Sequence, residues 1–263
     1  FLILITACAN TTRPGAVGVN RSQFMMVSSS EINQISAGAY QQERQKAQAK
    51  NMLVTSGPTY DRLRKIADRL IPQTKAFRDD TSQWNWELTL IKSPALNATC
   101  APGGKMTFYT GLIEQLNLND DEIAAIMGHE MAHALREHGR ERVSQAMAQN
   151  VVANVALAAA GPYGSAVSAA NQVAHYVLVL PNSRENESEA DAIGLELAAR
   201  AGYNPRGSIT LWEKMLNATK DKNTLEFLST HPSGETRIEQ LNALMPLVDP
   251  LYQVSPKATT SKK

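Results

Sequence analysis

The chain has 263 residues, of which 43% are hydrophobic, enough to bury a core in one large domain or two small ones. Its 26 basic and 25 acidic side chains leave a formal net charge of +1, so we expect no nucleic acid and no strongly acidic surface among its partners. Two cysteines are too few for a disulfide framework.

The first residues are apolar and lead to a cysteine. The run I-T-A-C at residues 5–8 resembles a bacterial lipobox, in which Cys8 becomes the lipid-modified mature N-terminus. The alternative is a small apolar run that happens to contain cysteine; it is too short to span a membrane. We predict that residues 1–8 are the end of a signal peptide. Because Ala9 follows, we expect an outer-membrane lipoprotein facing the periplasm.

The chain divides into segments by composition. Residues 9–56 are rich in Ser, Gln, Asn and Ala and poor in large apolar side chains, so we predict a tether followed by a polar helix around residues 30–52. Gly57-Pro58 marks the entry to a folded domain predicted to cover residues 57–245. Residues 246–263 are predicted to be a disordered tail.

The folded domain is predicted to begin with a helix and two strands. Residues 60–71 repeat apolar side chains with helical period and are stopped by Pro72. Residues 84–91 alternate apolar and polar side chains as a strand does. A second strand at residues 106–109 follows the turn at residues 102–104. We expect these two strands to pair in a small antiparallel sheet.

The next helix carries the motif His-Glu-x-x-His. Asn119 and Glu122 provide an N-cap and a capping box at its start. Residues four apart share one face of a helix, so His129 and His133 can reach one metal ion. Imidazole nitrogen suits Zn²⁺, and Glu130 beside it is placed to deprotonate a water molecule. The alternative is a chance match on an amphipathic helix.

Two Ala-rich apolar segments follow, at residues 143–160 and 165–180. Each is shorter than a bilayer span of about 20 residues. We predict a helical hairpin that packs beside or over the active site, with a lid or a membrane contact as the functional alternatives. His138 and His175 are predicted to be incidental, since His138 lies five residues past His133 and so off its ligand face.

A further helix, capped by Ser183 or Asn182, contains E-S-E-A-D. Glu187 and Asp191 are four apart, so Glu187 can coordinate zinc while Asp191 accepts the outer N–H of a ligand histidine. Glu189 is the rival ligand, but it points about 200° away from Glu187 and has no acid one turn later. It is predicted to be a surface residue that complements the helix dipole.

Five motifs occur in order along the chain: N-A-x-x-x-P-G-G-K at 97–105, Y-T-G-L at 109–112, the His-Glu-x-x-His helix, E-S-E-A-D at 187–191 and S-T-H-P at 229–232. Together they resemble the HtpX-like and CAAX-prenyl-protease-like gluzincin family of zinc metallopeptidases, in its bacterial periplasmic lipoprotein branch (LoiP- and BepA-like). The resemblance runs from about residue 58 to residue 245. It implies an α+β, predominantly helical fold of the zincin type, with a small antiparallel sheet beside the active-site helix.

The resemblance also implies roles for residues outside the two helices. Asn97 and Ala98 would border the cleft, where an extended substrate adds to a sheet edge. His231 and Arg237 would face the zinc, where either could stabilise the oxyanion. His231 could instead occupy the fourth metal position and hold the enzyme latent. Cys100 is predicted to be a buried small apolar residue.

These observations predict one Zn²⁺ per chain, held by His129, His133 and Glu187, with Glu130 as the general base and Asp191 behind a ligand histidine. The predicted function is that of a membrane-anchored zinc endopeptidase that cleaves unfolded or misassembled envelope proteins. The alternative is a chaperone-like outer-membrane assembly or quality-control factor with a latent or structural zinc site. Its further partners would then include the outer-membrane assembly machinery.

Overall fold

Helices make up most of the protein. The structure is a computed structural model, and it describes residues 8–157, 173–174, 177, 181–220, 226–231 and 236–258. Its helices are α1 (Ser29–Ala49), α2 (Pro58–Leu70), α3 (Thr110–Gln115), α4 (Asp120–Leu135), α5 (His138–Leu157), α6 (Arg184–Arg200), α7 (Gly207–Lys220), α8 (Glu226–Thr230) and α9 (Thr236–Val254). Its strands are β1 (Cys8–Ala9), β2 (Gln23–Phe24), β3 (Leu53–Val54), β4 (Glu87–Ile91), β5 (Ala98–Ala101) and β6 (Lys105–Tyr109). The predicted α+β, predominantly helical fold class is confirmed.

The larger sheet has the strand order β3-β4-β6-β5 and mixed directions. Strands β5 and β6 form an antiparallel hairpin through the turn at residues 102–104, whereas β4 and β6 run parallel. The prediction that residues 84–91 and 106–109 pair antiparallel was therefore wrong. Strand β5, which lies between them in the chain, takes the antiparallel place beside β6, and β4 pairs with the other side of β6 in the parallel direction.

Helix α1 covers this sheet. Ser28 caps it by accepting a hydrogen bond from the backbone N–H of Glu31, and the predicted polar helix is thus present. It contributes more core than its composition suggests, since Tyr40 is buried and shares a 2.6 Å hydrogen bond with the Thr89 hydroxyl. Strand β4 is accordingly buried on both faces, and it begins at Glu87, after the tryptophans.

The segment before α1 packs onto the folded domain instead of forming a tether. Gln23 is fully buried and donates to the backbone carbonyl of Arg136 at 2.7 Å. Arg21 binds the carboxylate of Glu141. The contacts are polar, and a composition that is poor in large apolar residues does not reveal them.

Helices α4 and α6 approach so closely that their backbones touch. A Cβ atom at Gly128 would lie 2.8 Å from the carbonyl oxygen of Gly194, and one at Gly194 would lie 2.6 Å from the backbone nitrogen of His129. Only glycine leaves room for this crossing. The predicted capping box of Asn119 and Glu122 begins α4 and is confirmed. The crossing brings the histidine face of α4 against the first turns of α6.

Helix α9 continues through the start of the predicted disordered tail. Pro246 and Pro250 lie inside the helix, which ends at Val254. Each proline removes a backbone hydrogen bond, but the buried side chains of Met245 and Val248 continue the apolar face against the core. Burial of this face offsets the loss, so the tail prediction was wrong for these residues.

The predicted hairpin at residues 143–180 is described only in part. Helix α5 covers residues 138–157, and most of the second segment, with His175, lies outside the described residues. Its role as a lid or membrane contact therefore stays a prediction. Among the described helices, none offers an apolar stretch of the length needed to cross a bilayer.

Candidate metal centre

Four buried side chains bring their donor atoms together in the described part of the chain. His129 and His133 come from α4, Glu187 from the first turn of α6, and His231 from the residue that follows α8. One donor atom from each lies within 4.8 Å of all the others. The structure thus brings the three predicted ligands together and adds His231 as a fourth donor.

The distances between these donors suit a tetrahedral ion. His129 Nε2 lies 3.0 Å from His133 Nε2 and 3.3 Å from His231 Nδ1. Glu187 Oε1 lies 3.3 Å from His133 Nε2 and 3.0 Å from His231 Nδ1. A tetrahedron with bonds of roughly 2.0–2.1 Å has edges of about 3.3 Å. The four donors therefore have the spacing that a zinc-sized cation needs.

The contacts behind the two α4 histidines are consistent with this conclusion. His129 Nδ1 lies 3.0 Å from Asp191 Oδ1, and His133 Nδ1 lies 2.8 Å from His138 Nδ1. If each Nδ1 carries the ring proton, the Nε2 lone pairs of both rings face each other and the Glu187 carboxylate. Such a convergence of acceptors would be repulsive without a cation between them. The buried donor set fits a bound metal ion.

Glu130 lies beside the cluster, with its Oε1 atom 3.4 Å from His231 Nε2. Its Oε1 atom is buried and has no hydrogen-bond partner among the described residues, while its carboxylate accepts the backbone N–H of Cys100. Burial raises the pKa of Glu130, although the neighbouring His231 and His129 act against this rise. This is the environment of a general base that faces a small enclosed space.

A cavity opens next to Glu130. The described residues that line it include Thr99, Cys100, His133, Arg142, Asn182 and His231. Asn97 and Ala98, the predicted substrate-binding residues, are buried just before and at the start of β5. The next two residues, Thr99 and Cys100, line the cavity. Burial raises the pKa of the Cys100 thiol well above its ordinary value, as expected of an inert buried cysteine.

Arg237 braces the acids of α6. Its guanidinium donates to Asp191 Oδ2 at 2.6 Å and to Glu187 Oε2 at 2.8 Å, and it stacks over the ring of Trp212. Burial works against the ionised form of Asp191, but Arg237 and His129 hold its pKa below the ordinary value. Arg237 is not among the described residues that line the cavity beside Glu130. The described contacts of Arg237 are with the acids of α6 and with Trp212, and its role as an oxyanion stabiliser stays a prediction.

His231 is held in place by a ring stack. Its imidazole lies 4.2 Å from the ring of Phe227, with 20° between the planes. Nδ1 faces the donor cluster, whereas Nε2 lies 3.4 Å from Glu130 Oε1. This orientation is that of a fourth metal ligand, one of the two roles that the resemblance left open.

Sequence reasoning missed His138 and Glu189. Both are buried, and His138 Nε2 lies 3.0 Å from Glu189 Oε2. Burial lowers the pKa of His138 to about 4. Burial opposes ionisation of Glu189, but hydrogen bonds from His138, Arg21 and Arg136 lower its pKa to about 2. The predictions of an incidental histidine and a surface glutamate were wrong.

The physical reason for this error lies between α4 and α5. His138 was placed off the ligand face by helical spacing from His133, but α4 ends at Leu135 and Glu137 has a left-handed φ of 52°. The turn directs His138 back onto His133. The one available signal was the polar run from Arg136 to Gly139, which interrupts the apolar pattern of the helix.

The domain is mostly helical, and its small sheet lies beside a helix that carries two histidines facing the donor cluster. This arrangement defines a metallopeptidase of the zincin type. The model of peptidase family M48 matches residues 59–245, well over half of the chain. The chain therefore belongs to peptidase family M48, whose members are metal-dependent. The predicted resemblance to the HtpX-like gluzincins is confirmed at the level of this family, and its lipoprotein branch stays a prediction.

The chain is similar to several characterised proteins. It is 35% identical over 177 residues to the mitochondrial metalloendopeptidase OMA1 of Saccharomyces cerevisiae, covering 65% of this chain and 50% of that protein. It is 29% identical over 237 residues to human metalloendopeptidase OMA1, covering 86% and 44%. It is 26% identical over 171 residues to the beta-barrel assembly-enhancing protease of Escherichia coli, covering 60% and 35%. The chain thus spans half or less of the length of these three relatives.

Proposed function

We propose that the protein is a zinc-dependent endopeptidase that cleaves unfolded or misassembled proteins. The observation that carries this proposal is the convergence of His129, His133 and Glu187 beside Glu130, whose buried Oε1 atom accepts no hydrogen bond from the described residues. Nitrogen and carboxylate donors at these spacings favour zinc over the harder ions that prefer oxygen alone. The names of the relatives, metalloendopeptidase and protease, support the reaction class.

Different residues of the site would carry out different parts of peptide hydrolysis. Held by His129, His133 and Glu187, zinc would polarise the scissile carbonyl and lower the pKa of a water molecule from 15.7 to about 7. Glu130 Oε1 is placed to take a proton from the attacking water and to give it to the leaving amine. Asp191 holds His129, and Arg237 holds the Glu187 carboxylate. The β5 edge beside α4 offers backbone groups to an extended substrate.

Glu130→Gln tests the reaction. The variant keeps the shape of the side chain and every metal donor but loses the base, so we expect turnover to fall by roughly 10²–10⁴. The measurement is the release of fragments from an unfolded polypeptide, with and without chelator, together with zinc content. Unchanged cleavage by the zinc-loaded variant would remove Glu130 from this role. Protection of the polypeptide from aggregation without any fragments would favour the chaperone-like alternative.

His231 supports a latent form of the same enzyme. With four protein donors the metal site is closed, whereas catalytic zinc sites keep one position open. In the same assay, His231→Ala is expected to retain zinc on the three remaining donors and to cleave faster than the wild type. A fall in turnover with zinc retained would assign His231 to oxyanion stabilisation instead.

We further propose that the protein is attached to the bacterial outer membrane through lipid on Cys8 and faces the periplasm. Support comes from the I-T-A-C run at residues 5–8 and from the exposure of Cys8. Envelope proteins would then be its substrates and the outer-membrane assembly machinery a partner. One relative is named for beta-barrel assembly and others are named mitochondrial, so the names alone leave the compartment open. An N-terminal peptide of unmodified mass would overturn the anchor.

A further inference from the structure

We propose that Glu189, acting through His138, is a positioning residue for the metal ligand His133, and that Arg21 holds Glu189 in place. The proposal rests on the metal-binding role of His133 given above. It extends the site to a residue from the segment that precedes the matched family region of residues 59–245.

The hydrogen bonds define a directed relay. When His133 Nε2 faces the donor cluster, its proton lies on Nδ1, which is 2.8 Å from His138 Nδ1. His138 must accept there, so its own proton lies on Nε2, which donates to Glu189 Oε2 at 3.0 Å. A carboxylate behind a ligand histidine commonly fixes its tautomer and ring orientation. Here a second imidazole carries that effect across the turn between the helices.

The turn that presents His138 is held from several sides. Glu137 adopts a left-handed backbone that an L-residue adopts only at a free-energy cost, and such strain persists where the surroundings determine it. The Glu137 carboxylate accepts hydrogen bonds from Arg78 and Arg140, each at 2.7 Å. His138 is completely buried at the end of this turn. The position of His138 is thus held by groups other than the metal donors.

Two guanidinium groups fix the far end of the relay. Arg21 Nε donates to Glu189 Oε1 at 2.7 Å, and Arg136 Nε donates to Glu189 Oε2 at 2.9 Å. Arg21 also binds Glu141 of α5 and Asn186 of α6. The Glu189 carboxylate therefore stays charged and oriented towards His138, and the N-terminal segment closes the arrangement.

Zinc affinity of purified protein, measured by competition with a chromophoric chelator, tests the relay. Glu189→Gln removes the charge at constant shape, and His138→Phe removes both hydrogen bonds of the ring. We expect each to weaken zinc binding by roughly 10–100-fold, the usual effect of losing an outer partner of a ligand. The melting temperature of each metal-free variant is measured in parallel.

Glu196→Gln is the matched control. Glu196 lies on the same helix, its side chain is fully buried, and it binds the same N-terminal segment through the backbone N–H groups of Ala16 and Val17. It contacts no histidine among the described residues. We expect Glu196→Gln to lower the melting temperature of the metal-free protein while its zinc affinity stays at the wild-type value.

Two results would overturn the relay. One is unchanged zinc affinity in Glu189→Gln, and the other is an equal loss in Glu196→Gln, which would make the effect one of general stability. If His138→Phe fails to fold, the isosteric Glu189→Gln decides. Failure of the proposed function is separate: a wild type that binds zinc without cleaving polypeptide contradicts the peptidase while the affinity comparison still tests the relay.

Discussion

The two α4 histidines are supported in different ways. Behind His129 stands a carboxylate in direct contact, Asp191, at 3.0 Å. Behind His133 the carboxylate is Glu189, and His138 lies between them. Both acids come from α6, only two residues apart, so they point to opposite faces of that helix. Glu189 points away from the metal donors, so it can support a ligand histidine only through a residue that lies between them, here His138.

The two supports also come from different parts of the chain. The direct support is completed by Arg237, inside the matched family region. The relayed support is completed by Arg21, outside that region. The direct support thus lies wholly inside the family region, whereas the relayed support is shared between Arg136 inside it and Arg21 of the N-terminal segment.

The largest effect is expected on the direct side, from Asp191→Asn. The amide still fits, but it removes a charge that faces both His129 and the buried Arg237. Breaking a buried ion pair by changing one partner costs about 3–5 kcal/mol. We expect loss of stability in denaturant unfolding together with a zinc affinity roughly 10–100-fold lower. A variant as stable as the wild type, with unchanged zinc affinity, would contradict the direct support.

A smaller effect is expected on the relayed side, from Arg21→Met. Arg136 still binds Glu189 in this variant, so zinc affinity should fall by roughly tenfold or less, the lower end of the range for outer partners. Arg13→Met is the control, because Arg13 lies in the same segment and pairs with Asp79. Equal affinities in the two variants would mean that Arg21 acts only by docking the segment.

Local patterns predicted the centre of the site well. Asn119 and Glu122 form the expected capping box, and Ser183 caps α6 as one of two candidates. The i, i+4 spacing of His129 and His133 places both rings on one face, and the same spacing places Asp191 behind His129. These features depend on neighbours in the chain, which is why the sequence reveals them.

The errors concern contacts between distant residues. The direction of β4 against β6 depends on which strand joins the hairpin, and no pattern within either strand encodes it. The burial of Gln23 depends on a carbonyl of α4, more than a hundred residues away. His138 was misjudged because one left-handed residue, Glu137, changed the direction of the chain.

The contact between Gly128 and Gly194 sets the size of the metal site. Their missing side chains determine how far the imidazoles of α4 stand from the carboxylate of α6. One methyl group at either position would push the helices apart and widen the spacing between the donors of α4 and α6, without altering any donor. The fit of the site to an ion of a given radius would thus depend partly on two residues that supply no donor atom.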